Sequence, residues 1–381
     1  MYQSQTRLPH LLPPAAYCEP DALRRELDSA FASRWQFLAC AAEVEAARGL
    51  LRAELWGTPL LVASDAGRVR AFADCCPRHA TPLIPQLEAG LLRLRCRRGG
   101  CEYDASGRPL VAAGSSAASA PPLVEYPLAR CGALLFGRLV PSESTLAEQF
   151  GDAFELAAAR FGVDGRFTAG FAQPFDVNWK IPVENALESY HVPVVHPHTF
   201  REDPGDERST HRFAATHTEF TTTLPFAPHN RIDDLLQRTE RYLLRRVGLE
   251  PQGRYRHVHI FPNLLLSFTD ATSILQSVAP TGRRSCVVSV RVFGVRRESW
   301  PLWKRTLAAG WAKLSSGIVR QILKEDFALF ADIQHGLAAA ERPGSLGRCE
   351  ERIHAFQAWL LDRQAANEPA GFAAACAEIA G

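Results

Sequence analysis

The chain has 381 residues, 46% of them hydrophobic and 22% charged, with a formal net charge of +2, and is long enough for two domains with buried cores. Positive and negative charges are nearly balanced, and the sequence has no basic stripe that would indicate nucleic acid as a partner. No apolar run reaches the ~18 residues of a membrane span. Because the first residues also lack a signal-peptide pattern, we expect a cytoplasmic protein without nucleic-acid or membrane partners.

The first part of the chain is predicted to form a helical arm followed by a small β domain. Residues 22–33 have the apolar spacing of a short amphipathic helix. From about residue 34 to residue 139, short apolar runs alternate with Gly and Pro, as in the segments TPLLVAS, RVRAFAD, LLRLRC and GALLFGRLV. This pattern is typical of antiparallel strands joined by tight turns. The Ala, Ser, Gly and Pro-rich stretch 112–122 is predicted to be a loop.

The second part of the chain is predicted to mix one antiparallel sheet with helices. Helical spacing returns at 143–162, and an amphipathic helix or pair of helices is predicted over 301–340, with an Ala-rich helix over 349–379. Alternating segments, each predicted to be a strand, occupy residues 166–177, 213–224, 256–268 and 284–294. The predicted class is therefore α+β, with an arm, a β domain and a catalytic domain at residues 1–33, 34–145 and 146–381.

The stretch NWKIPVENALESYHVPVVH at residues 178–196 carries the clearest chemical motif. His191 and His196 are five residues apart and would not share one face of a regular helix. Pro193 between them is expected to end the helix, so that His191 lies at a helix end and His196 on the following turn. Two neutral imidazoles and one carboxylate leave open positions on Fe(II), as an oxygen-activating site requires. Asp326, on the predicted long helix, is the best candidate for the carboxylate.

The joint pattern resembles a known family, although each of these residues alone is more often an ordinary core or surface residue. The motif NWK…EN..E.YH....H with a late ED…Q is similar to the catalytic domain of Rieske non-haem iron oxygenases, the large subunits of ring-hydroxylating dioxygenases and related monooxygenases. The run HIFPNLLLS at residues 259–267 resembles the family's strand behind the active site. The resemblance covers about residues 35–340 and implies a Rieske-like β domain followed by a helix-grip catalytic domain.

The resemblance also implies residue roles at the catalytic centre. It assigns His191, His196 and Asp326 as the ligands of a mononuclear Fe(II). Glu188 would hold the second N–H of a ligand imidazole, on the path by which the family connects the iron of one subunit to the cluster of its neighbour. Asn185 would be a donor near the oxygen site.

The two loops where this family holds its [2Fe–2S] cluster depart from the family's pattern. A Rieske cluster needs Cys-x-His in one loop and Cys-x-x-His in the other, with two thiolates on one iron and two imidazoles on the second. Cys76 and Cys96 match the thiolates, but Arg78 and Gly99 stand where the histidines belong. Arginine stays protonated and glycine has no side chain, so neither can ligate iron. A normal Rieske cluster is therefore not expected.

Three alternatives remain for the four cysteines that fall between positions 75 and 101. In the first, His79 and Cys101 replace the lost histidines, giving Cys-x2-His…Cys-x4-Cys, a ligand set for zinc or for an atypical cluster. In the second, the thiols are reduced, packed and free of metal. In the third, Cys76 and Cys96 form a disulfide.

The leading functional hypothesis is a mononuclear non-haem iron oxygenase that uses dioxygen on a hydrophobic or aromatic small molecule. Without a cluster, its electrons would come from a Rieske-bearing partner or from the substrate. The resemblance implies a homotrimer or a mixed oligomer with a Rieske-bearing subunit, served by a reductase. Two alternatives are a non-catalytic partner subunit of such an oligomer and an enzyme of redox-neutral iron chemistry.

The substrate pocket is expected to lie between the catalytic sheet and the segment 200–240. Its apolar candidates, each also a candidate for the core, are Phe200, Phe213, Phe220, Phe226 and Leu235. Four histidines near this region receive no role, namely His198, His211, His217 and His229.

Overall fold

The structure is a computed structural model that describes residues 8–65, 67–88, 91–110, 120–196, 206–223, 231–347 and 349–366. Contacts divide the described chain into two units. The smaller unit comprises residues 32–146, and the larger unit combines residues from 1–31 with residues from 147–375. The amino-terminal arm therefore belongs to the same unit as the catalytic part of the chain, although the β domain separates them in sequence.

The amino-terminal arm is fastened to the larger unit by a buried ion pair. It contains strand β1 (Leu8–Pro9), a 3-10 turn at Pro14–Tyr17, helix α1 (Pro20–Glu26) and a π-helical turn at Leu27–Phe31. Glu26, which is 1% exposed, accepts hydrogen bonds from Lys180 Nζ and Trp179 Nε1, both at 2.7 Å. A buried carboxylate is tolerated only when it is paired in this way. The helix predicted from residue 22 begins two residues earlier, with Pro20 in the first turn, where a proline fits.

The smaller unit consists of short antiparallel strands, as the sequence predicts. Its helix α2 spans Ala41–Ala46, and its strands are β2 (Gln36–Cys40), β3 (Leu50–Leu55), β4 (Thr58–Asp65), β5 (Arg68–Ala73), β6 (Leu83–Glu88), β7 (Leu91–Cys96), β8 (Glu102–Asp104), β9 (Pro109–Leu110), β10 (Glu125–Tyr126), β11 (Leu128–Cys131) and β12 (Leu134–Gly137). Among the described residues they pair in the orders β10-β5-β4-β3, β11-β12-β2 and β6-β7-β8-β9. The buried core of this unit includes Phe72, Leu94 and Tyr103 together with three cysteines, Cys76, Cys96 and Cys101.

The larger unit is built on one antiparallel sheet with helices. Its further elements are α3 (Leu146–Phe150), a 3-10 turn at Gly151–Ala153, α4 (Phe154–Arg160), β13 (Gly165–Phe175), α5 (Lys180–Asn185), α6 (Val192–Val195), a 3-10 turn at Asp206–Arg208, β14 (Ser209–Phe213), β15 (His217–Thr223), α7 (Arg231–Val247), β16 (Arg254–Ile260), β17 (Leu264–Phe268), β18 (Thr272–Gly282), β19 (Ser285–Val295), α8 (Leu302–Phe327), α9 (Phe330–Ala339), β20 (Ser345–Leu346) and α10 (Glu351–Ala366). In the described part of the chain seven strands form the sheet β13-β19-β18-β17-β16-β15-β14, and β1 pairs with β20. The α+β class predicted from the sequence is confirmed.

The structure of the sheet departs from the prediction in two places. The single strand expected over 256–268 is a hairpin of β16 and β17, closed by a turn at residues 261–263. Asn263 holds this turn, because its side-chain amide donates to the carbonyl of Val278 at 2.8 Å. Strand β18 was not predicted. Most of its residues are buried on both faces of the sheet, so the alternation that reveals a half-buried strand is missing.

Helix α8 crosses the sheet closely and carries the predicted carboxylate near its end. Gly294 on β19 makes the approach possible, because a Cβ at that position would overlap the Cβ of Ala312. The small residues Ala308, Ala312 and Ser315 form the buried side of the helix. The pair of helices predicted over 301–340 is confirmed as α8 and α9. No helix among the described residues has the length and apolar character needed to cross a lipid bilayer.

Candidate active site

The two motif histidines lie at the two ends of the short helix α6. His191 immediately precedes the helix and His196 immediately follows it. Pro193 occupies the first turn, where its missing N–H is not needed for a helical hydrogen bond. The expectation that Pro193 ends a helix was therefore wrong, since α5 has already ended at Asn185 and Pro193 helps to begin α6. The two imidazole centroids lie 5.4 Å apart, so the histidines converge as predicted.

Asp326 brings the predicted carboxylate to the same point. Its Oδ1 lies 3.0 Å from Nε2 of His196 and 3.4 Å from Nε2 of His191. One donor atom from each of the three residues lies within 4.8 Å of the others. Asp326 lies about 130 residues after His196 in the sequence. Helix α8 brings it to the histidines, because Asp326 is the second-last residue of that helix.

The donor atoms are arranged as ligands of an ion rather than as hydrogen-bond partners of one another. Asp326 Oδ1 is buried and accepts no hydrogen bond from the described residues, although both Nε2 atoms are close. The opposite ring nitrogens face other carboxylates: His191 Nδ1 contacts Glu188 Oε1, and His196 Nδ1 lies 2.8 Å from Glu325 Oε2. A carboxylate at Nδ1 holds the proton there and leaves the Nε2 lone pair available. The residues present therefore fit a divalent metal held by two imidazoles and one carboxylate.

The electrostatics of the site also favour a cation. Burial lowers the pKa of His191, but Asp326 and Glu188 outweigh that effect and raise the pKa to about 9. The pKa of His196 is likewise raised, because Asp326 and Glu325 outweigh burial. Burial disfavours the Asp326 carboxylate, yet the two imidazoles hold its pKa below the usual value. Three carboxyl groups around two imidazoles make a local excess of negative charge, which a bound cation would balance.

The residues predicted to support the ligands are placed as follows. Glu188 is largely buried and also accepts a hydrogen bond from the backbone N–H of His191 at 3.1 Å, which fixes it beside that imidazole. Asn185 is half-buried and lines the cavity at the site. Sequence reasoning missed Glu325 as the partner of His196. The sequence offered one signal for this role, since Glu325 directly precedes the candidate ligand Asp326 on a predicted helix.

A cavity of ≈ 940 Å³ opens at the three candidate ligands and is mostly apolar. Its volume lies within the range of small-molecule sites. Apolar and aromatic residues of its wall include Phe220, Tyr255, Ile274, Trp311, Ile318 and Ile322. Many polar residues also line the cavity, among them Glu240, Asp270 and Arg352. Trp311 Nε1 donates to Glu240 at 2.9 Å, and burial raises the pKa of that carboxyl.

The apolar residues proposed for the pocket had mixed outcomes. Phe220 lines the cavity, whereas Leu235 is 64% exposed and, like Phe213, is not among the described residues of the wall. Phe200 and Phe226 lie outside the described residues. Sequence reasoning missed Trp311, although the helical spacing of α8 places it on the same side as Asp326.

The extra histidines serve as partners of acidic residues where they are described. His211 Nδ1 lies 3.2 Å from Glu351, and His217 Nε2 lies 3.1 Å from Asp152. His198 and His229 lie outside the described residues. His259 is fully buried in β16, where Nε2 lies 2.8 Å from the carbonyl oxygen of Pro262.

A second group of metal-binding side chains lies in the smaller unit. Cys76 and His79 belong to the loop between β5 and β6, and Cys96 and Cys101 flank the turn between β7 and β8. His79 Nδ1 lies 3.2 Å from the sulfur of Cys96 and 3.8 Å from each of the sulfurs of Cys76 and Cys101. The three thiols are at most 2% exposed. The structure thus brings together the four residues of the predicted Cys-x2-His…Cys-x4-Cys set.

The residues at the family's histidine positions do not fit a Rieske cluster. Arg78 is exposed on the loop surface, and Gly99 lies in the turn with a φ of 82°. Neither supplies an imidazole to an iron. Cys76 and Cys96 are free thiols, contrary to the disulfide alternative.

Two family profiles match the chain. The profile of the ring hydroxylating alpha subunit (catalytic domain) matches residues 158–366, more than half of the chain, and that of the Rieske [2Fe-2S] domain matches residues 34–122. The second match assigns the smaller unit to the Rieske domain type, whose usual cluster its ligand residues do not reproduce.

Relatives with assigned names are distant in sequence. Choline monooxygenase (chloroplastic) of Beta vulgaris is 24% identical over 92% of this chain and 76% of its own length. The glycine betaine monooxygenase oxygenase subunit of Chromohalobacter salexigens is 24% identical over 53% of this chain. That match spans about half of the relative's length, at 47%.

Solved structures share the whole fold. The quaternary ammonium Rieske monooxygenase CntA with a bound inhibitor superposes with a TM-score of 0.72 at 16% identity, covering 94% of this chain and 95% of that one. Naphthalene 1,2-dioxygenase from Rhodococcus sp. superposes with a TM-score of 0.69 at 19% identity, covering 94% and 95% of the two chains. The fold, the profile matches and the sequence motif agree, and the chain belongs to the family of ring-hydroxylating oxygenase alpha subunits of the Rieske non-haem iron type.

Proposed function

We propose that this chain is the catalytic subunit of a mononuclear non-haem Fe(II) oxygenase that uses dioxygen on a small, largely apolar molecule. The observation that carries the proposal is the convergence of His191, His196 and Asp326 at the wall of the ≈ 940 Å³ cavity. A ligand set at the edge of a substrate-sized cavity is what an oxygen-activating enzyme requires, because the substrate must reach the metal.

The iron would be held by the two imidazoles and the Asp326 carboxylate. When bound there, Fe(II) supplies the redox chemistry with dioxygen, since three protein ligands leave coordination positions open. Glu188 and Glu325 keep the Nδ1 protons of His191 and His196 in place and thereby fix both ring orientations. The apolar wall limits the access of water to the reacting groups. Asn185 would supply a polar donor at the cavity surface.

The cavity favours a hydrophobic or aromatic substrate. Apolar atoms form most of the exposed surface of its described wall, and its volume exceeds what a very small polar substrate would fill. Polar groups such as Asp270 and Arg352 would orient one end of the substrate rather than hold all of it.

A quaternary ammonium compound is a second candidate substrate class, favoured by one group of wall residues. Trp311, Glu240 and Tyr255 bring two aromatic rings and a buried carboxyl group to the cavity. Aromatic faces bind ammonium groups, and a carboxylate adds to that attraction. The named relatives include choline and glycine betaine monooxygenases, which agrees with this class.

A pair of matched compounds separates the two substrate classes. Choline can be compared with its neutral analogue, in which carbon replaces the quaternary nitrogen, by measuring product formation or binding. A hydrophobic site will bind the neutral compound at least as well. A preference of about tenfold or more for the cation, worth about 1.4 kcal/mol, would favour the ammonium class.

Electrons would come from a Rieske-bearing partner subunit in a mixed oligomer, or from the substrate. The proposal includes a homotrimer or mixed oligomer supplied by a reductase. One of the similar solved structures, a quaternary ammonium monooxygenase, is described in terms of inter-subunit electron transfer. In this chain the ligand residues of the smaller unit do not reproduce a Rieske cluster, which supports an external electron source.

The proposed function is tested by the ligand variants His191→Ala and Asp326→Ala. We expect both to lose bound iron and turnover, measured as dioxygen consumption coupled to product with a partner reductase and Rieske subunit. His335→Ala is the matched control, because His335 is exposed on α9 and away from the described cavity wall. If the mixed oligomer kept full activity with either ligand variant, the chain would instead be a non-catalytic partner subunit.

A further inference from the structure

The sulfurs of Cys76, Cys96 and Cys101 lie around His79 at nitrogen–sulfur distances that suit a tetrahedral metal ion. All three sulfurs lie between 3.2 and 3.8 Å from the single atom Nδ1 of His79. Ligand bonds of 2.3 Å for zinc–sulfur and 2.0–2.1 Å for zinc–nitrogen would place a sulfur and a nitrogen about 3.6 Å apart in a tetrahedral site. The observed separations bracket that value.

A two-iron cluster would need a different arrangement of the same side chains. Each iron of a [2Fe–2S] cluster takes two of the four protein ligands, so the donors form two separated pairs. Here the donor atoms of Cys76, His79 and Cys96 lie within 4.8 Å of one another, and Cys101 approaches the same nitrogen. The three mutually close donors suit a single ion, with Cys101 as the candidate fourth ligand.

The backbone of both loops is built to hold these four residues. In the first loop the N–H groups of His79 and Ala80 donate to the carbonyl of Cys76, at 3.2 and 2.9 Å, which folds the Cys-x2-His segment onto itself. In the second loop the N–H of Cys96 donates to the carbonyl of Cys101 at 2.9 Å. Gly99 and Gly100 have φ values of 82° and 80°, a region that glycine adopts without strain. The glycine that replaces the family's histidine thus permits the turn that delivers Cys101.

Hydroxyl groups lie beside two of the sulfurs. Tyr103 Oη lies 3.6 Å from the sulfur of Cys76, and Thr81 Oγ1 lies 3.2 Å from the sulfur of Cys96. Hydrogen bonds to a metal-bound sulfur are the usual outer support of such a ligand.

We propose that Cys76, His79, Cys96 and Cys101 bind one structural zinc ion in place of the family's two-iron cluster. Zinc has no redox chemistry and stabilises closed four-ligand sites of the Cys₃His type. The smaller unit would then keep its fold through the ion without relaying electrons. The proposal goes beyond the proposed function and stands or falls independently of it, because it concerns different residues and a different unit.

The test counts metals in the full chain, purified without chelators and under anaerobic conditions. In the background variant His196→Ala, which weakens the iron site, we expect about one zinc per chain and no acid-labile sulfide. Cys101→Ser should reduce zinc to background, and Cys75→Ser should leave it unchanged. Cys75 is the matched control, because it is an exposed thiol next to Cys76. Two irons with matching sulfide, or no metal at all in the smaller unit, would overturn the proposal.

A second measurement needs no variant and so does not depend on the variants' folding. The zinc absorption edge of the unmodified chain should report a shell of three sulfurs and one nitrogen. Replacing zinc by Co²⁺ should give the thiolate charge-transfer bands and strong visible bands of a tetrahedral site. A zinc shell made only of nitrogen and oxygen would mean that the ion binds elsewhere, and the proposal would be wrong.

Discussion

The two groups of metal-binding side chains differ in how much of the family's ligand set they keep. In the larger unit, the donor atoms of His191, His196 and Asp326 lie within 4.8 Å of one another, as the resemblance to the family's motif predicts. In the smaller unit, both thiol positions are present but Arg78 and Gly99 replace the histidines, while His79 and Cys101 lie beside the thiols. Helices α6 and α8 position the first set, and loops between β strands carry the second set. The smaller unit thus keeps the fold of a Rieske domain although two of the family's four ligand residues are replaced.

Each metal should be lost only when a ligand of its own site is mutated. This is the largest effect that we expect. Asp326→Ala should remove the iron and lower turnover by more than about a hundredfold, since loss of even an outer partner of a metal ligand costs 10–100-fold. The same variant should keep its zinc. Cys101→Ser should lose zinc and keep iron. Elemental analysis of both variants, with His335→Ala as control, checks the comparison, and parallel loss of both metals in either variant would contradict it.

The unfolding temperature of the smaller unit should depend more on its zinc ion than on the iron of the larger unit. Cys76, Cys96 and Cys101 lie in the core of that unit, so removing their ion would leave three buried thiols without a common partner. Because a structural zinc contributes directly to folding, we expect a strong chelator to lower the unfolding temperature of this unit by about 10 °C. Differential scanning calorimetry with and without chelator measures the change. Reloading with zinc, but not with Fe(II), should restore it, and an unchanged transition would count against the structural role.

The outer partners of the iron ligands should have an intermediate effect. Glu325→Gln and Glu188→Gln remove the negative charge facing His196 Nδ1 and His191 Nδ1, so each should weaken iron binding by about 10–100-fold. Titration with Fe(II) under anaerobic conditions measures the affinity. Asp332→Asn, an exposed change on α9, is the control. Unchanged affinity in both glutamate variants would mean that these carboxylates do not orient the ligands.

Restoring one of the family's histidines should have the smallest effect. Arg78→His changes an exposed side chain and leaves Gly99 without a donor, so the zinc content and the absence of acid-labile sulfide should stay the same. Sulfide analysis and the visible spectrum of the variant check this expectation. Formation of a two-iron cluster in this single variant would show that the loops still hold two irons, and would weaken the contrast between the two sites.

The convergence of the candidate iron ligands could be predicted because the sequence signal is local and rich in chemistry. His191 and His196 lie in one short motif, and the late acidic pair indicated Asp326. Glu325 was missed, because only the packing of α8 shows that its carboxylate faces His196. The role predicted for Pro193, which was to end a helix, was wrong for a related reason. A proline both ends one helix and begins another, and its neighbours in space decide which role applies.

The sheet was predicted less completely than the site. Strand β18 is buried on both faces, so its sequence carries no alternation, and the turn at Asn263 is fixed by a hydrogen bond to that same strand. The cavity wall was the least predictable part. Leu235 and Trp311 both lie on amphipathic helices, and only the tertiary structure shows that the first is exposed while the second lines the cavity.

Mössbauer spectroscopy of the anaerobically purified chain, enriched in ⁵⁷Fe, tests the central contrast most directly, because it distinguishes mononuclear iron from a cluster in one sample. We predict a single high-spin ferrous component, which Asp326→Ala removes, and no component from coupled iron pairs. Components of a [2Fe–2S] cluster would contradict the account, because they would show that the smaller unit still carries the family's electron relay.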